Sequence, residues 1–250
     1  MYAKVYGETT CGINGEQIIV EVDISNGLPS FDIVGLPDTS VKESRERVRA
    51  ALKNSGLIFR MTRITVNLAP ADLKKDGSGL DLPIAVGILV SSGVLQQEQV
   101  DDTIFVGELA LDGTIRQIAG VLPMILHARD IGRKNIVIPA GNCAEGRLVD
   151  GIDVLIPASL LELVEHLRGE KVLDVLDKEA ICAAATSVYD VDFAEVRGQQ
   201  VVKRALEIAA AGGHNIILIG APGSGKSMLA KRLPSILPPL SLGESLETTK

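Results

Sequence analysis

Gly220-Ala221-Pro222-Gly223-Ser224-Gly225-Lys226-Ser227 fits the pattern G-x-x-x-x-G-K-[ST] at every fixed position, and that pattern is a phosphate-binding loop with a mechanism. Its glycines let backbone N–H groups curl around phosphate oxygens with no Cβ in the way. Lys226 supplies a positive charge for the β- and γ-phosphates, and the Ser227 hydroxyl is placed to ligate Mg²⁺. A helix starting here turns its positive end to the same phosphates. Working outward, Asn215-Ile216-Ile217-Leu218-Ile219 reads as a short buried strand, and Met228 to Leu233 as a helix that Pro234 ends or kinks. Strand, glycine loop, helix is the order the motif requires. The residues expected to hold a nucleotide are therefore Gly220 through Ser227, with Met228 beside them and Ser227 as the Mg²⁺ ligand.

The sequence given ends at Lys250, 23 residues after Ser227. Hydrolysis also needs an acidic residue for Mg²⁺ and water, and a charge-stabilising arginine. A phosphate-loop domain runs to about 150 residues. Residues 191–250 are thus expected to be the opening part of such a domain, able to bind nucleotide weakly and not to turn it over alone.

Hydrophobic residues make up 46% of the 250-residue chain and charged residues 23%, the proportions of a globular core. Aromatics are 3%, so aliphatic packing carries the core and stacking platforms for single-stranded nucleic acid are scarce. The net charge of −7 argues against a chain that coats nucleic acid over its whole surface. A local basic stretch remains: Lys42, Arg45, Arg47, Arg49 and Lys53, diluted by Glu43 and Glu46. Its plainest reading is a solvated helix face laced with i,i+3 and i,i+4 pairs. Cys11, Cys143 and Cys182 are an odd number at spacings that suit neither a disulfide framework nor zinc. His127, His166 and His214 are equally scattered. No secretory signal is visible at the N-terminus, and the apolar run Leu82–Val90 is too short to span a bilayer. A reduced cytoplasmic setting is the expectation.

Along the chain, Gln17–Ile24 reads as a strand with Phe31–Gly35 as its hairpin partner. Asp38-Thr39-Ser40 is an N-cap cluster for a helix over 40–55, closed by Gly56. Arg63–Leu68 is a strand, Pro70–Gly79 a polar glycine-rich loop, and Leu82–Ser92 a helix. Ile104–Gly107 and Gly113–Arg116 bracket a hairpin turn at Asp112-Gly113. A helix over 121–132, strands at 135–138 and 152–156, and a helix over 159–168 complete this part. Strands and helices mix without a regular βαβ period, which reads as α+β. Residues 169–190, with the small-residue run Ala183–Ser187, form the expected linker between a domain at 1–168 and the phosphate-loop part at 191–250.

Three stretches resemble the YifB/ComM family of magnesium-chelatase-like AAA+ ATPases: Asn26-Gly27-Leu28-Pro29-Ser30-Phe31-Asp32-Ile33-Val34-Gly35-Leu36-Pro37-Asp38; Asn67-Leu68-Ala69-Pro70-Ala71-Asp72-Leu73-Lys74-Lys75-Asp76-Gly77; and Val196-Arg197-Gly198-Gln199 through the phosphate loop to Leu240. The resemblance covers essentially the whole chain. It implies an α+β Lon-protease-like N-terminal domain followed by the first part of an α/β AAA+ domain. It implies ATP and Mg²⁺ as cofactors, a cytoplasmic homo-oligomer (a hexameric ring), and, for the ComM branch, a helicase acting on single-stranded or branched DNA in branch migration. It places Val196 and Gly198 beside the adenine, with His214 and Asn215 near the nucleotide.

Active Lon domains use a Ser–Lys dyad, the serine in a loop like Lys-Asp-Gly-Pro-Ser-Ala-Gly and the lysine in a run like Ile-Gly-Gly-Leu-Lys. Here the first reads Lys75-Asp76-Gly77-Ser78-Gly79-Leu80-Asp81, with Gly79 where the nucleophile belongs and Ser78 one residue early. The second reads Ile118-Ala119-Gly120-Val121-Leu122, with leucine in place of lysine. Lys74 and Lys75 are available but sit on the nucleophile's own loop. The domain is therefore expected to be dead as a protease. The readings that stand beside a DNA motor are a chelatase-type or protein-remodelling ATPase, an adaptor role for residues 1–168, and, disfavoured by Gly79 and Leu122, an ATP-dependent protease.

Overall fold

In the N-terminal part, ten residues of β1 (Tyr2–Cys11) fold back on β2 (Asn14–Ser25) as a long antiparallel hairpin, turned at Gly12 with φ +63°. The structure, a computed structural model, describes residues 2–57, 62–178 and 191–249. Its contacts divide the chain into two units, Met1–Glu179 and Ala180–Thr249. Cys182, the Ala183–Ser187 run and the rest of the expected linker from 179 to 190 lie outside the described residues.

In the first unit the hairpin is followed by β3 (Ser30–Val34), α1 (Thr39–Asn54), β4 (Arg63–Ala69), α2 (Asp81–Ser91), β5 (Thr103–Phe105), β6 (Glu108–Leu109), β7 (Ile115–Arg116), α3 (Val121–Asp130), β8 (Asn135–Val137), α4 (Cys143–Arg147), β9 (Asp153–Leu155) and α5 (Leu160–Leu167). Seven strands form one sheet in the order β3-β4-β2-β1-β5-β8-β9. The β3–β4, β1–β5, β5–β8 and β8–β9 ladders are parallel and the two around β2 antiparallel. The fold is thus mixed α/β with a mostly parallel sheet.

Two expectations are corrected here. Phe31–Val34 is not the hairpin partner of β2. It pairs in parallel with β4, Phe31 opposite Ile64 and Ile33 opposite Val66, because α1 intervenes and a helical crossover returns the chain in the same direction. Ile104–Gly107 is likewise not one arm of the Asp112-Gly113 hairpin. That hairpin joins β6 to β7, and β5 enters the main sheet beside β1.

One face of the sheet packs on α2, which is buried along its whole length. Ala3 and Val5 of β1, Ile18, Val20 and Val22 of β2, and Ile64, Val66 and Leu68 of β4 join α2 in one core. Gly87 permits the contact, since a Cβ there would lie 2.6 Å from Val22 Cγ2. The alternate residues form a polar face: Tyr2 Oη and Asn67 Nδ2 donate to the two Glu21 carboxylate oxygens (2.9 and 2.7 Å), and the Arg133 guanidinium lies 3.6 Å from the Tyr6 ring centre. Toward the hairpin turn this second face is covered by α3, where a Cβ on Gly15 would lie 2.6 Å from the Pro123 carbonyl oxygen.

The two N-terminal stretches that carried the family resemblance clasp each other. Gly35 has φ +99°, and a Cβ there would fall 2.1 Å from the Leu68 carbonyl oxygen. Lys75 N–H donates to Leu36 O (3.4 Å) and Asp38 N–H to Lys75 O (3.1 Å). The Asp38 carboxylate accepts from Val41 N–H (2.7 Å), capping α1.

The second unit contains α6 (Gln200–Gly212), α7 (Lys226–Arg232) and α8 (Leu242–Thr249). Phe193, Val196, Leu206 and Leu229 form its core, with Leu218 against them. Asn215–Ile219 is not a strand, contrary to expectation. A strand is defined by its ladder, and no described segment pairs with this one; Ile217 and Ile219 are 80% and 88% exposed. No helix among the described residues is long and apolar enough to cross a membrane.

Candidate functional site

The phosphate loop is drawn around the ammonium of Lys226, which donates to the carbonyl oxygens of Gly220 and Ala221 (2.8 Å each) and to Ser224 Oγ (3.2 Å). Gly223 (φ +80°) and Gly225 (φ +85°) take left-handed conformations that a side chain resists. A Cβ on Gly220 would sit 2.9 Å from Ser224 Oγ, inside the turn. Gly225 then caps α7, whose first residues are Lys226 and Ser227. Ser227 and Met228, in the first turn of α7, are both exposed. A lysine charge, a hydroxyl and a glycine-rich backbone turn at a helix start fit a Mg²⁺-bound nucleotide phosphate. Among the expected site residues, Gly220 to Met228 are therefore brought together.

Val196 and Gly198 lie on the neighbouring segment, in different roles. Val196 is buried with Leu206 and Leu229, beneath the helix that carries Lys226. Gly198 (φ +73°) and Gln199 (φ +51°) make a left-handed pair ahead of α6. That turn aims Gln199 at the loop, where its Nε2 donates to Ser224 O (3.0 Å). Sequence reasoning did not single out Gln199; its one signal was an amide directly after a glycine in this segment. Arg232, at the end of α7, donates to Glu195 Oε2 (2.6 Å) and ties the segment to the loop's own helix. His214 instead turns back on α6. Its N–H donates to Ala209 O (2.9 Å), and its imidazole lies where a Cβ on Gly212 would meet it at 2.5 Å. Among the described residues, no hydrogen bond joins His214 or Asn215 to the loop.

In the first unit, the loop with the displaced serine is held tightly. Gly107 N–H donates to Gly79 O (2.9 Å), Leu82 N–H to Gly107 O (3.1 Å), and the Ser78 hydroxyl to the Glu108 carboxylate. Leu122 is buried in α3. Among the described residues neither lysine hydrogen-bonds the Ser78 hydroxyl. Lys75 is fully buried with Nζ donating to the Pro70 carbonyl, and burial lowers its pKa; Lys74 pairs with Asp76 (2.7 Å). The start of α2 rests on a buried ion pair: the Asp81 carboxylate accepts from Arg47 Nε (2.6 Å), Arg47 Nη2 (2.9 Å), Leu109 N–H (3.2 Å) and the Ser44 hydroxyl. Arg47 thus leaves the solvated face expected for the basic stretch, and Lys42, Arg45, Arg49 and Lys53 remain exposed along one side of α1.

Two family models match parts of the chain. Residues 20–142 match a family model described as subunit ChlI of Mg-chelatase, and residues 192–250 one described as magnesium chelatase, subunit ChlI. The chain is 45% identical over 247 residues to the uncharacterized protein YifB of Salmonella typhimurium, covering 98% of this chain and 48% of that protein. It is 41% identical over 250 residues to the competence protein ComM of Haemophilus influenzae, with the same two coverages. A weaker likeness, 28% over 128 residues, reaches Lon protease 2 of Bacillus subtilis, covering 50% of this chain and 22% of that protein. The chain spans about half the length of these YifB and ComM relatives.

Proposed function

This chain belongs to the magnesium-chelatase-like family that includes YifB and ComM, and on that premise we propose that it is the nucleotide-binding half of an AAA+ ATPase that drives a DNA motor. The observation that carries the reading is the Gly220–Ser227 loop closed around Lys226. Lys226 supplies the charge for the β- and γ-phosphates and Ser227 the hydroxyl for Mg²⁺. Gly198 borders the base, Val196 packs beneath it against Leu206 and Leu229, and Gln199 holds the loop through Ser224. Transfer of the ATP γ-phosphoryl group to water, with ADP leaving, would drive the motion, and the residues that complete that step are proposed to lie in the rest of the relatives' length.

DNA is proposed as the partner on two grounds: the likeness to a competence protein and the exposed stripe Lys42, Arg45, Arg49 and Lys53 on α1. A hexameric ring and a cytoplasmic setting are part of the same reading. The first unit is proposed to be Lon-like and without protease activity, because Gly79 and Leu122 stand where a Ser–Lys dyad needs its two members. A second reading, a chelatase-type or remodelling ATPase not acting on DNA, is favoured by the description of the matching family models.

The test is ATP hydrolysis by the full-length parent protein, with and without single-stranded and branched DNA, beside Lys226→Ala. DNA-stimulated turnover that vanishes in the variant is the expected result. Turnover indifferent to DNA moves the assignment to the second reading. Turnover unchanged in Lys226→Ala removes the loop from the mechanism altogether.

A further inference from the structure

The seven-stranded sheet of the first unit ends on two edges of opposite character. At one edge lies β3, paired with β4 alone among the described residues. Two clefts of about 210 and 450 Å³ run along it, and Phe31 and Arg45 line both. Their second wall is α1, which presents Lys42, Arg45, Glu46 and Arg49 at i, i+3, i+4 and i+7, all exposed. Arg45 and Glu46 pair at 3.1 Å, but both side chains are more than half exposed, so water keeps that pair weak. Asp32, the other carboxylate of the groove, accepts from the Ser30 hydroxyl (3.2 Å). Backbone groups alternate between the two sides of a strand, so β3 turns part of its N–H and C=O groups away from β4. This edge is an open strand beside a cationic wall.

At the other edge, the segment 171–178 lies against β9, where Leu176 N–H donates to Val154 O (2.8 Å). Leu176 is buried and Leu173 packs on the core. Val172, Asp174, Val175 and Asp177 are exposed. Among the described residues, none of these four N–H groups has a hydrogen-bond partner and neither aspartate has an ion pair. The two neighbouring lysines are occupied: Lys171 by Glu162 (2.6 Å) and Lys178 by the Gly146 carbonyl (3.2 Å). The two edges stand six strand spacings apart, about 29 Å. The acidic segment therefore cannot reach the β3 edge of its own copy, while that of a second copy is open to it.

We infer that the first unit associates head to tail, with Val172–Asp177 of one copy seated along the β3 edge of the next. The open backbone groups of the two segments bond to each other, and Asp174 and Asp177 face Lys42, Arg45 and Arg49. The five residues of β3 and the six of the segment match in length, at about 17–20 Å. A contact between two different surfaces is heterologous, so it closes a ring or runs on as a filament according to its rotation. The inference gives an interface to the homo-oligomer proposed above and rests on that part of the reading alone. It sets Lys42 and Arg45 against protein carboxylates, which makes DNA the competing occupant of the groove.

The test is sedimentation velocity of the 250-residue chain without nucleotide, from about 1 μM to about 1 mM. The unmodified chain should associate as its concentration rises. Association should weaken at least about tenfold at about 1 M salt, where the Debye length is about 3 Å. Lys42→Glu with Arg45→Glu should stay monomeric, and so should Asp174→Lys with Asp177→Lys. Mixing these two variants should restore association, because the reversed edge of one meets the reversed segment of the other and their unmodified surfaces also meet. A misfolded variant has no such rescue. Lys226→Ala should associate like the unmodified chain, so a failure of the nucleotide reading leaves this result standing. The inference is overturned by a chain that stays monomeric to about 1 mM, which would make the basic stripe a guard against edge pairing. It is equally overturned by association that either double variant retains, by variants that mixing does not rescue, by loss of association in Lys226→Ala, or by an oligothymidylate that disperses the assembly and so claims the groove for DNA.

Discussion

Arg47→Ala should destabilise the first unit by about 3–5 kcal/mol, the usual cost of stripping the partner from a buried ion. Asp81 has a fully buried side chain, whereas that of Arg47 is one-fifth exposed. Arg47 provides two of the four hydrogen bonds the carboxylate accepts; Ser44 and Leu109 N–H provide the others. With Arg47 gone those two remain, and they do not neutralise the charge. Removing the charge as well should relieve the penalty: in an Asp81→Leu background, Arg47→Ala should cost about 1 kcal/mol or less, what remains being the packing of the aliphatic stem. The pH dependence has a definite sign. Burial already raises the Asp81 pKa above its ordinary 3.8, against the pull of Arg47 and Ser44, and losing Arg47 raises it further. The folded variant then holds a proton that the unfolded chain releases above about pH 4. The deficit should therefore be largest near pH 7 and shrink as the pH falls toward 4. The assay is native-state amide exchange of the β1–β2 ladder in the full chain, which reads the opening free energy of this unit without interference from the other. A deficit below 1 kcal/mol, or one that persists in the Asp81→Leu background, would refute the argument.

Three further outcomes follow from the same structure. Lys226→Ala should abolish nucleotide binding by the chain, measured by calorimetry with MgATP, while leaving the amide exchange of the first unit unchanged. Burial and the charge of Glu16 push Glu8 up to about 9 from its usual 4.5, and its carboxyl lies 3.1 Å from His127 Nδ1; folding then takes up a proton between those values, so stability should fall as pH rises from about 4.5 to 9, and Glu8→Gln should flatten a slope of up to about 1.4 kcal/mol per pH unit in a pH series of urea unfolding. Gly35→Ala should cost about 3 kcal/mol or more in the same titration, because its Cβ would collide with the Leu68 carbonyl at 2.1 Å and its φ is +99°; a loss under 1 kcal/mol would mean the Gly35–Leu68 crossing can relax.

What the sequence made legible was local. The phosphate loop announces itself because its geometry is made by consecutive residues. Asp38 announces α1 because a cap acts on a backbone N–H three residues ahead. The helices that were expected fell within a residue or two of their bounds, because periodicity and end signals lie inside each element, whereas α4 and α8 were not foreseen. What stayed hidden depends on partners distant in sequence. Phe31–Val34 has strand character wherever it pairs, and only the crossover through α1 makes its partner β4. Asn215–Ile219 has strand character too, and composition cannot say whether a neighbour is present to complete a ladder. The orientation of Lys75 was hidden for the same reason. A lysine in a polar loop reads as solvated until the clasp with Leu36 and Asp38 draws it inward.

The basic stretch on α1 shows where a better reading was within reach. Five cations lie between residues 42 and 53, and i,i+4 spacing offers Glu43 as the partner of Arg47. That contact exists, at 3.9 Å. It is the weaker one, because Asp81, 34 residues on, takes two bonds at 2.6 and 2.9 Å from the same guanidinium. Two signals in the sequence marked this outcome. The buried stripe of α1 runs Val41, Ser44, Val48, Ala51, Leu52, with one polar residue among apolar ones. The wholly buried helix α2 opens on a single carboxylate. A hydroxyl in an apolar stripe and a charge at the head of an apolar helix must both be satisfied once buried, and Arg47, three residues from Ser44, has the reach to satisfy both. Spacing along one helix proposes the pairs that solvent weakens; an isolated polar residue on a buried face points to the pair on which the packing depends.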